Sequence, residues 1–343
     1  MKREAVRQAI ALSALLMAAL FLTPLAWTLH SREPSAEDDP AEERPAEAET
    51  KRPPSVRKAL DGGTVLRVLD GETVREMDLG TYLTGVVRAE MPASFELEAL
   101  KAQATAARTY TLYKLRTGGN HGDTADICTD PTCCQAYLDA DAARSNWGEN
   151  AGAYETKIQR AVRETDGQAV LYGGRPILAV FHSSSAGLTR QAGVVWQDDL
   201  PYLQPVSSPE QGDAIPNYYS RAEFSAAALR ETLQAAWPGA DLSGPASGWL
   251  TNPAADSAGS VTTLSVGGVE VRGARLRSVL GLRSACFEWE VQGDTVVFYV
   301  TGYGHGVGLS QYGANQMAAE GSDYREILTH YYTGVTIGPC PAG

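Results

Sequence analysis

The first strong pattern in the chain is an apolar run. Ala9 to Leu29 holds 21 residues without a charge, preceded by Lys2, Arg3 and Arg7. That length spans a bilayer, and the basic flank sets the N-terminus on the cytoplasmic side. PLAWTLHS shows no clear small-x-small cleavage site, so a retained anchor is favoured over a cleaved signal peptide. Residues 1–32 thus read as a basic stub and transmembrane anchor. Residues 33–55, rich in Pro, Glu and Ala and without hydrophobic period, read as a tether. Residues 56–343 read as one extracytoplasmic domain.

Within that domain the pattern switches between period two and period 3.6. TVLRVLDGETVREMDL predicts a hairpin turning at Asp70-Gly71. In DLGTYLTGVVRAEMP, Leu79, Leu83 and Val86 recur at helical steps, predicting a helix from near Asp78 to Arg88 that Pro92 ends. Glu90 falls on the same stripe. A second, Ala-rich helix follows in FELEALKAQATAARTYTLYKLR, with Ser94 as its cap and Glu96 and Glu98 in its first turn. Two strands joined at Gly173-Gly174 are expected in GQAVLYGGRPILAVFHSSSAG. Further strands are expected in VTTLSVGGVEVRGARL and in CFEWEVQGDTVVFYVTG, which turns at Gly293-Asp294. Helices return in SQYGANQMAAEG and DYREILTHYYTG. Hairpins dominate and no β-α-β alternation repeats, which predicts an α+β fold with mostly antiparallel sheet.

The length of 343 residues allows one or two domains and a sizeable core. The formal charge is −12. An acidic chain lacks the clustered Lys and Arg that a phosphate-backbone binder needs, which argues against nucleic acid.

Four stretches carry candidate chemistry. Glu90 on an apolar face is either a frayed helix end reaching water or an acid whose pKa is raised by burial for acid catalysis. Lys101 and Arg108, seven apart, share a face of the next helix, as a cationic edge for a polar substrate or as a solvated face. In HGDTADICTDPTCCQAY, His121, Cys128, Cys133 and Cys134 make a complete four-ligand set for structural zinc. The competing reading is a disulfide from Cys128 to Cys133 or Cys134. Cysteine parity favours zinc, because it leaves Cys286 and Cys340 as a candidate disulfide pair. GYGHGVGLSQYGA supplies His305, Ser310, Gln311 and Tyr312 beside close-packing glycines; no Lys-Ser or Lys-Thr follows, so it is no P-loop. FHSSSAGLT places Ser184 on the face of His182 in an extended strand, without the elbow or acid of a hydrolase triad.

Taken in order, GVVRAEMPASFELEALKAQATAARTYTLYK, HGDTADICTDPTCCQAY, FHSSSAGLT, DLPYLQPVSSPE, GLRS and GYGHGVGLSQYGANQMAAEG resemble the SpoIID/LytB superfamily, over about residues 60–338. The resemblance implies a membrane-anchored peptidoglycan lytic transglycosylase acting in sporulation engulfment, in the mother-cell membrane facing the forespore. It would work with a SpoIIP-type amidase and a SpoIIM-type membrane protein. The alternative within the superfamily is a LytB-type glycan-binding enhancer of an amidase. The resemblance maps the catalytic glutamate onto Glu90 and supporting basic residues onto Lys101 and Arg108. It also suggests His182, Ser184, His305, Ser310, Gln311 and Tyr312 as glycan contacts. Some members carry a zinc site of two His and two Cys, and Cys133 stands here where such a member has histidine. Zinc is the one cofactor implied, and the chemistry itself needs none. A transglycosylase forming a 1,6-anhydro ring can use one carboxyl group as acid and then base, whereas a hydrolase usually needs two.

Overall fold

A computed structural model describes residues 60–196, 198–210 and 212–340. The expected anchor at residues 9–29 and the tether at residues 33–55 lie outside these. Among the described residues no helix is long and apolar enough to cross a membrane.

The first hairpin forms as its alternation and turn pair predict: β1 (Val65–Asp70) runs antiparallel to β2 (Thr73–Asp78). Asp78 then caps α1 (Leu79–Glu90), its carboxylate accepting from Thr81 N at 2.9 Å. The stripe behaves as its spacing demands, since Leu79, Leu83 and Val86 are all buried, each contributing about 1.5–3 kcal/mol of apolar burial. Met91 ends the helix in extended geometry, as expected for the residue before Pro92.

The next helix, α2 (Leu97–Thr117), starts differently from expectation. Glu96, not Ser94, is its cap residue, and it makes no side-chain capping bond. Its backbone N–H is satisfied by Asn315 Oδ1 at 2.8 Å, a partner from the far end of the chain. Ala102, Ala104, Ala106 and Ala107 are fully buried, which lets neighbouring elements close on α2 from several sides. The two-residue β3 (Ile127–Cys128) pairs with β1 in parallel. Helices α3 (Ala140–Trp147) and α4 (Ala151–Glu164), which the sequence reading did not assign, follow it.

Beyond them come β4 (Gln168–Tyr172), β5 (Arg175–Pro176), β6 (Phe181–His182) and the short α5 (Ala192–Val195). A second block contains β7 (Tyr219–Ser225), α6 (Ala226–Ala236), β8 (Leu250–Ala255), β9 (Val261–Val266), β10 (Val269–Arg272), α7 (Gly273–Leu280), β11 (Phe287–Gln292) and β12 (Thr295–Thr301). The chain returns through β13 (Leu309–Ser310), α8 (Gln311–Ala319), α9 (Tyr324–Tyr331) and β14 (Thr336–Pro339). The class is α+β with small, mostly antiparallel sheets, ordered β2-β1-β3, β10-β9-β8, β11-β12-β7, β13-β6 and β14-β4-β5. Only the short β1–β3 and β6–β13 pairs among these named strands are parallel.

Two separate apolar clusters form the interior. The first joins α1, α2, α4 and the C-terminal helices through residues such as Leu83, Leu100, Ile158, Ile327 and Tyr331. The second lies wholly within the β7–β12 block, around Leu229, Trp249, Leu264, Leu276 and Phe298. One expected domain is thus built on two cores. The two cysteines of the expected Cys286–Cys340 pair sit on different elements: Cys286 lies just before β11, beside Asp256 and Arg190, whereas Cys340 follows β14, its N–H donating to Gly167 O at 3.3 Å.

Candidate active site

Glu90 is the last residue of α1, half-buried, and it does not fray into water. Its Oε1 accepts the Ala136 N–H at 2.9 Å, and its Oε2 accepts from Gln311 Nε2 at 3.4 Å. The same Gln311 amide donates to Gln103 Oε1 at 3.3 Å, so an α2 residue fixes the carboxamide that faces the acid. Burial pushes the Glu90 carboxyl above the usual carboxylate range, and the two hydrogen bonds only partly oppose it. Among the described residues no Lys, Arg or His forms an ion pair with it. A carboxyl in such a place keeps its proton to higher pH than an exposed one, which is what a proton-donating group requires.

Lys101 and Arg108 do share one face, but it is the wrong one for Glu90. From Lys101, Gln103 lies roughly 160° around the α2 axis, while Arg108 lies within about 20°. Lys101 bridges Glu98 at 2.7 Å and Glu164 at 2.6 Å. Arg108 is fully buried and grips Asp61, with Nε at 2.9 Å and Nη2 at 2.6 Å. Its remaining donors go to Thr165 Oγ1, Gln168 O and Val162 O. Arg108 is therefore a strut tying Asp61 to α2, α4 and β4, with no donor left for a substrate. The reason lies in Asp61, 47 residues away, whose carboxylate covers the guanidinium. A groove of about 590 Å³ beside this strut is lined by Asp61, Asp78, Thr84, Arg88 and Asp166; Glu90 is not part of it.

The four predicted ligands do converge. Their donor atoms lie within 4.8 Å of one another. Cys133 Sγ is 3.5 Å and Cys134 Sγ 3.7 Å from His121 Nε2, and the two sulfurs are 3.8 Å apart. Zinc bonds of about 2.3 Å to sulfur and about 2.0–2.1 Å to nitrogen give tetrahedral edges of about 3.8 Å and about 3.5 Å, so this donor set fits that ion. All three cysteines are thiols, so the alternative disulfide is not formed. Asn120 Nδ2 reaches Cys133 Sγ at 3.4 Å, a second contact that orients a ligand. An ion held by His121, Cys128, Cys133 and Cys134 would be structural, with no open position. The loop leaving Cys134 runs straight onto α1: Ala136 N–H meets Glu90, Tyr137 stacks on Tyr82 at 6.0 Å, and Leu138 N–H meets Gly85 O at 3.0 Å.

The remaining predicted residues gather around one crossing of chains. Strands β6 and β13 pair Phe181 with Leu309 and His182 with Ser310. Ser310 then caps α8, so Gln311 starts the helix pointing at Glu90. Tyr312 N–H donates to Ser183 O at 3.0 Å, and its ring meets Phe95 edge-on at 4.9 Å. Ser184 is buried and pairs with Tyr303 across a β-bridge. The turn between them uses Gly302, Gly304, Gly306 and Gly308, all with positive φ, and a Cβ at Gly304 would meet the His182 Cβ at 2.7 Å. His182 is buried, its Nδ1–H donating to Val307 O at 3.2 Å, and burial pushes its pKa down to about 4. His305 accepts the Val307 N–H at 3.1 Å, and burial, aided by His182 and Arg277, pushes it down to about 3. Both imidazoles are neutral near pH 7 and support the turn.

One acid escaped the sequence reading. Glu210, in VSSPE, accepts from Ser185 N at 2.8 Å and Ser185 Oγ at 2.9 Å, and Ser310 Oγ donates to the same oxygen. Its other oxygen is buried without a partner. Glu210 thus steadies the residue that caps α8 and, through it, Gln311. No periodicity or motif marks it, and only Pro209 beside two serines distinguishes it in the sequence.

The sequence comparisons fall on these same elements. A profile of the stage II sporulation protein family, SpoIID, matches residues 70–172, which include Glu90 and all four clustered ligands. Stage II sporulation protein D of Bacillus subtilis (strain 168) is 36% identical over 275 residues, 79% of this chain and 77% of the relative. Its counterpart from Bacillus amyloliquefaciens is 36% identical over 266 residues, covering 77% of this chain and 75% of the relative. An amidase enhancer of Bacillus subtilis (strain 168) is 29% identical across 74% of this chain but only 40% of its own length. With identity at that level over most of both partners, and with the acid and the ligand cluster inside the matched segment, this chain belongs to the stage II sporulation protein D family.

Proposed function

We propose that the chain is a peptidoglycan lytic transglycosylase with Glu90 as its single acid and base. The observation that carries this reading is the Glu90 carboxyl itself: raised toward its protonated form by burial, held by one backbone N–H and one carboxamide, and paired with no charged side chain among the described residues. In the first step Glu90 gives its proton to the glycosidic oxygen as the bond to C1 breaks. In the second, the carboxylate takes the proton of the sugar's 6-hydroxyl as that oxygen bonds to C1. The products are a free chain end and a 1,6-anhydro end, no water is consumed, and Glu90 returns protonated. Glu210 does not need to act as a second catalytic carboxylate, since its bonded oxygen is engaged by Ser185 and Ser310.

In this reading the ion held by His121, Cys128, Cys133 and Cys134 is zinc, and it fixes the loop that carries Ala136. The substrate is a peptide-stripped glycan strand, prepared by a SpoIIP-type amidase, with a SpoIIM-type protein as membrane partner. The domain works outside the cytoplasm on an N-terminal anchor. The test is direct: the wild-type chain and Glu90→Gln are incubated with peptide-stripped strands, and products are read by mass spectrometry. Anhydro ends from wild type and none from Glu90→Gln are expected; anhydro ends from both would end the assignment.

A second reading has one observation in its favour, the likeness to a protein named as an amidase enhancer. Under it, the chain grips glycan and stimulates an amidase without cutting. Stimulation that survives Glu90→Gln, with no anhydro product from wild type, would select it.

A further inference from the structure

Three arginines surround the turn after β12, and they are treated differently. Arg190 pairs with Asp256 at 2.6 Å, and Arg277 spends its Nε on Leu282 O at 3.2 Å. Arg283 has neither kind of partner. Its guanidinium lies on the Tyr303 ring, 3.8 Å from the centroid, and its buried Nε has no hydrogen-bond partner. Among the described residues no carboxylate lies within ion-pair distance of it. A desolvated guanidinium donor left unmatched is costly unless something else supplies the acceptor.

The surroundings hold this pair still. The Arg283 carbonyl accepts the Gly304 N–H at 2.9 Å, and the neighbouring Ser284 Oγ donates to Thr301 O at 2.6 Å. Tyr303 is locked to Ser184 in both directions, at 3.1 Å and 2.9 Å, yet its residue is 43% exposed. The adjoining residue Ser183 receives the Tyr312 N–H, and Tyr312 follows Gln311, which touches Glu90. Backbone hydrogen bonds therefore link the segment of Gln311, whose side chain meets the acid, to Tyr303.

We propose that Arg283 and Tyr303 form a subsite for an amino sugar bearing a free carboxylate. The sugar lies on the exposed part of the tyrosine, and the carboxylate meets the guanidinium, whose charge no carboxylate among the described residues offsets. This rests on the glycan-cleaving reading above. In peptidoglycan the sugar with that chemistry is the one with a lactyl ether, and its carboxylate is charged only when no stem peptide is attached. An amide-linked sugar offers no anion. The subsite would then sense removal of the peptide by charge as well as by size. In a chain of net charge −12, such a cation also offsets repulsion of a polyanionic strand.

Binding is measured on the full chain carrying Glu90→Gln, so that no turnover intervenes. The probes are peptide-free glycan strands with free lactyl carboxylates and the same strands converted to methylamides. The free-acid strands are expected to bind about tenfold tighter. Arg283→Gln added to this background brings the ratio near one, Arg283→Lys leaves part of it, and Tyr303→Ala weakens both probes together. Melting curves check that each variant is folded; should Arg283→Gln not fold, the reduced ratio in Arg283→Lys decides. Equal affinity of the parent for both probes, an unchanged ratio in a folded Arg283 variant, or a preference for a phosphate-bearing wall polymer would each overturn the proposal. Anhydro ends made by the wild type are scored separately. Their absence would remove the enzymatic reading while the binding ratio still reports on the subsite.

Discussion

The backbone N–H of Ala136 donates to Glu90 Oε1 at 2.9 Å, two residues beyond Cys134. The four-residue cluster thereby reaches the acid through one intervening residue, Gln135. With the proposed zinc bound there, its removal by chelation, or Cys134→Ser, is expected to free the loop and withdraw that donor. Turnover is expected to fall by about tenfold, the worth of one such hydrogen bond. Full activity in metal-free protein, checked by metal analysis and product release, would refute this coupling.

Glu90→Gln removes the transferable proton but keeps an oxygen for Ala136. Activity should drop by roughly 10²–10⁴-fold or more, while the melting temperature stays close to wild type or rises. The pairing of a lost product with an intact melt is the informative result.

The pH profile follows from the sign of the Glu90 shift. A raised pKa means that the active, protonated form persists above the ordinary carboxylate range. The rate constant kcat/KM should therefore be high below the folded-state pKa and decline as pH rises through it. Folding stability contributed by this group follows the same direction, present at low pH and lost through the same limb. Gln311→Ala deletes a bond that favours the carboxylate, so its alkaline limb should move to higher pH. A limb that moves down would contradict the arrangement.

The histidines act in the opposite direction on stability. His182 and His305 bind protons at about 4 and about 3 in the fold, below their unfolded value. The unfolded chain therefore takes up protons first as pH falls from about 6.5. The melting temperature should decline steadily from pH 7 to pH 5, and His305→Gln should flatten that slope.

Arg108 is expected to behave as structure. Arg108→Ala leaves Asp61 buried without its partner and should cost about 3–5 kcal/mol of stability. The folded fraction should retain its KM. Arg108→Lys should not rescue it, because an ammonium cannot reproduce the fork on Asp61. The double variant Asp61→Leu/Arg108→Met should recover much of the loss. A raised KM in a stable Arg108 variant would return the residue to the substrate.

What the sequence disclosed was mostly local. Turn pairs at Asp70-Gly71 and Gly293-Asp294 marked hairpins because the chemistry of a turn sits in two adjacent residues. The ligand cluster was readable because its four members lie within one loop. The apolar stripe of α1 pointed to Glu90 for the same reason. What stayed hidden depended on distant partners. A helical wheel places Lys101 beside Arg108 but says nothing of Glu164 and Asp61, which close that face. Glu210 gains its role from Ser185, 25 residues earlier, and Ser310, 100 residues later. Helices α3 and α4 were not assigned, although α4 supplies Glu155, which takes Arg88 at 2.9 Å.

The turn from Gly302 to Gly308 bears on how the chain can vary. Four alternate positions sit at φ of 77°, 116°, 80° and 71°. Added side chains would strike fixed neighbours: at Gly302 a Cβ would come 2.8 Å from the Ser184 carbonyl oxygen. Between them stand Tyr303, His305 and Val307, one facing outward and two packed beneath. Saturation mutagenesis of this stretch should therefore give a tolerance map with a period of two, dark at every glycine whatever the assay. The intervening positions should separate by readout, Tyr303 by ligand and His305 and Val307 by folding.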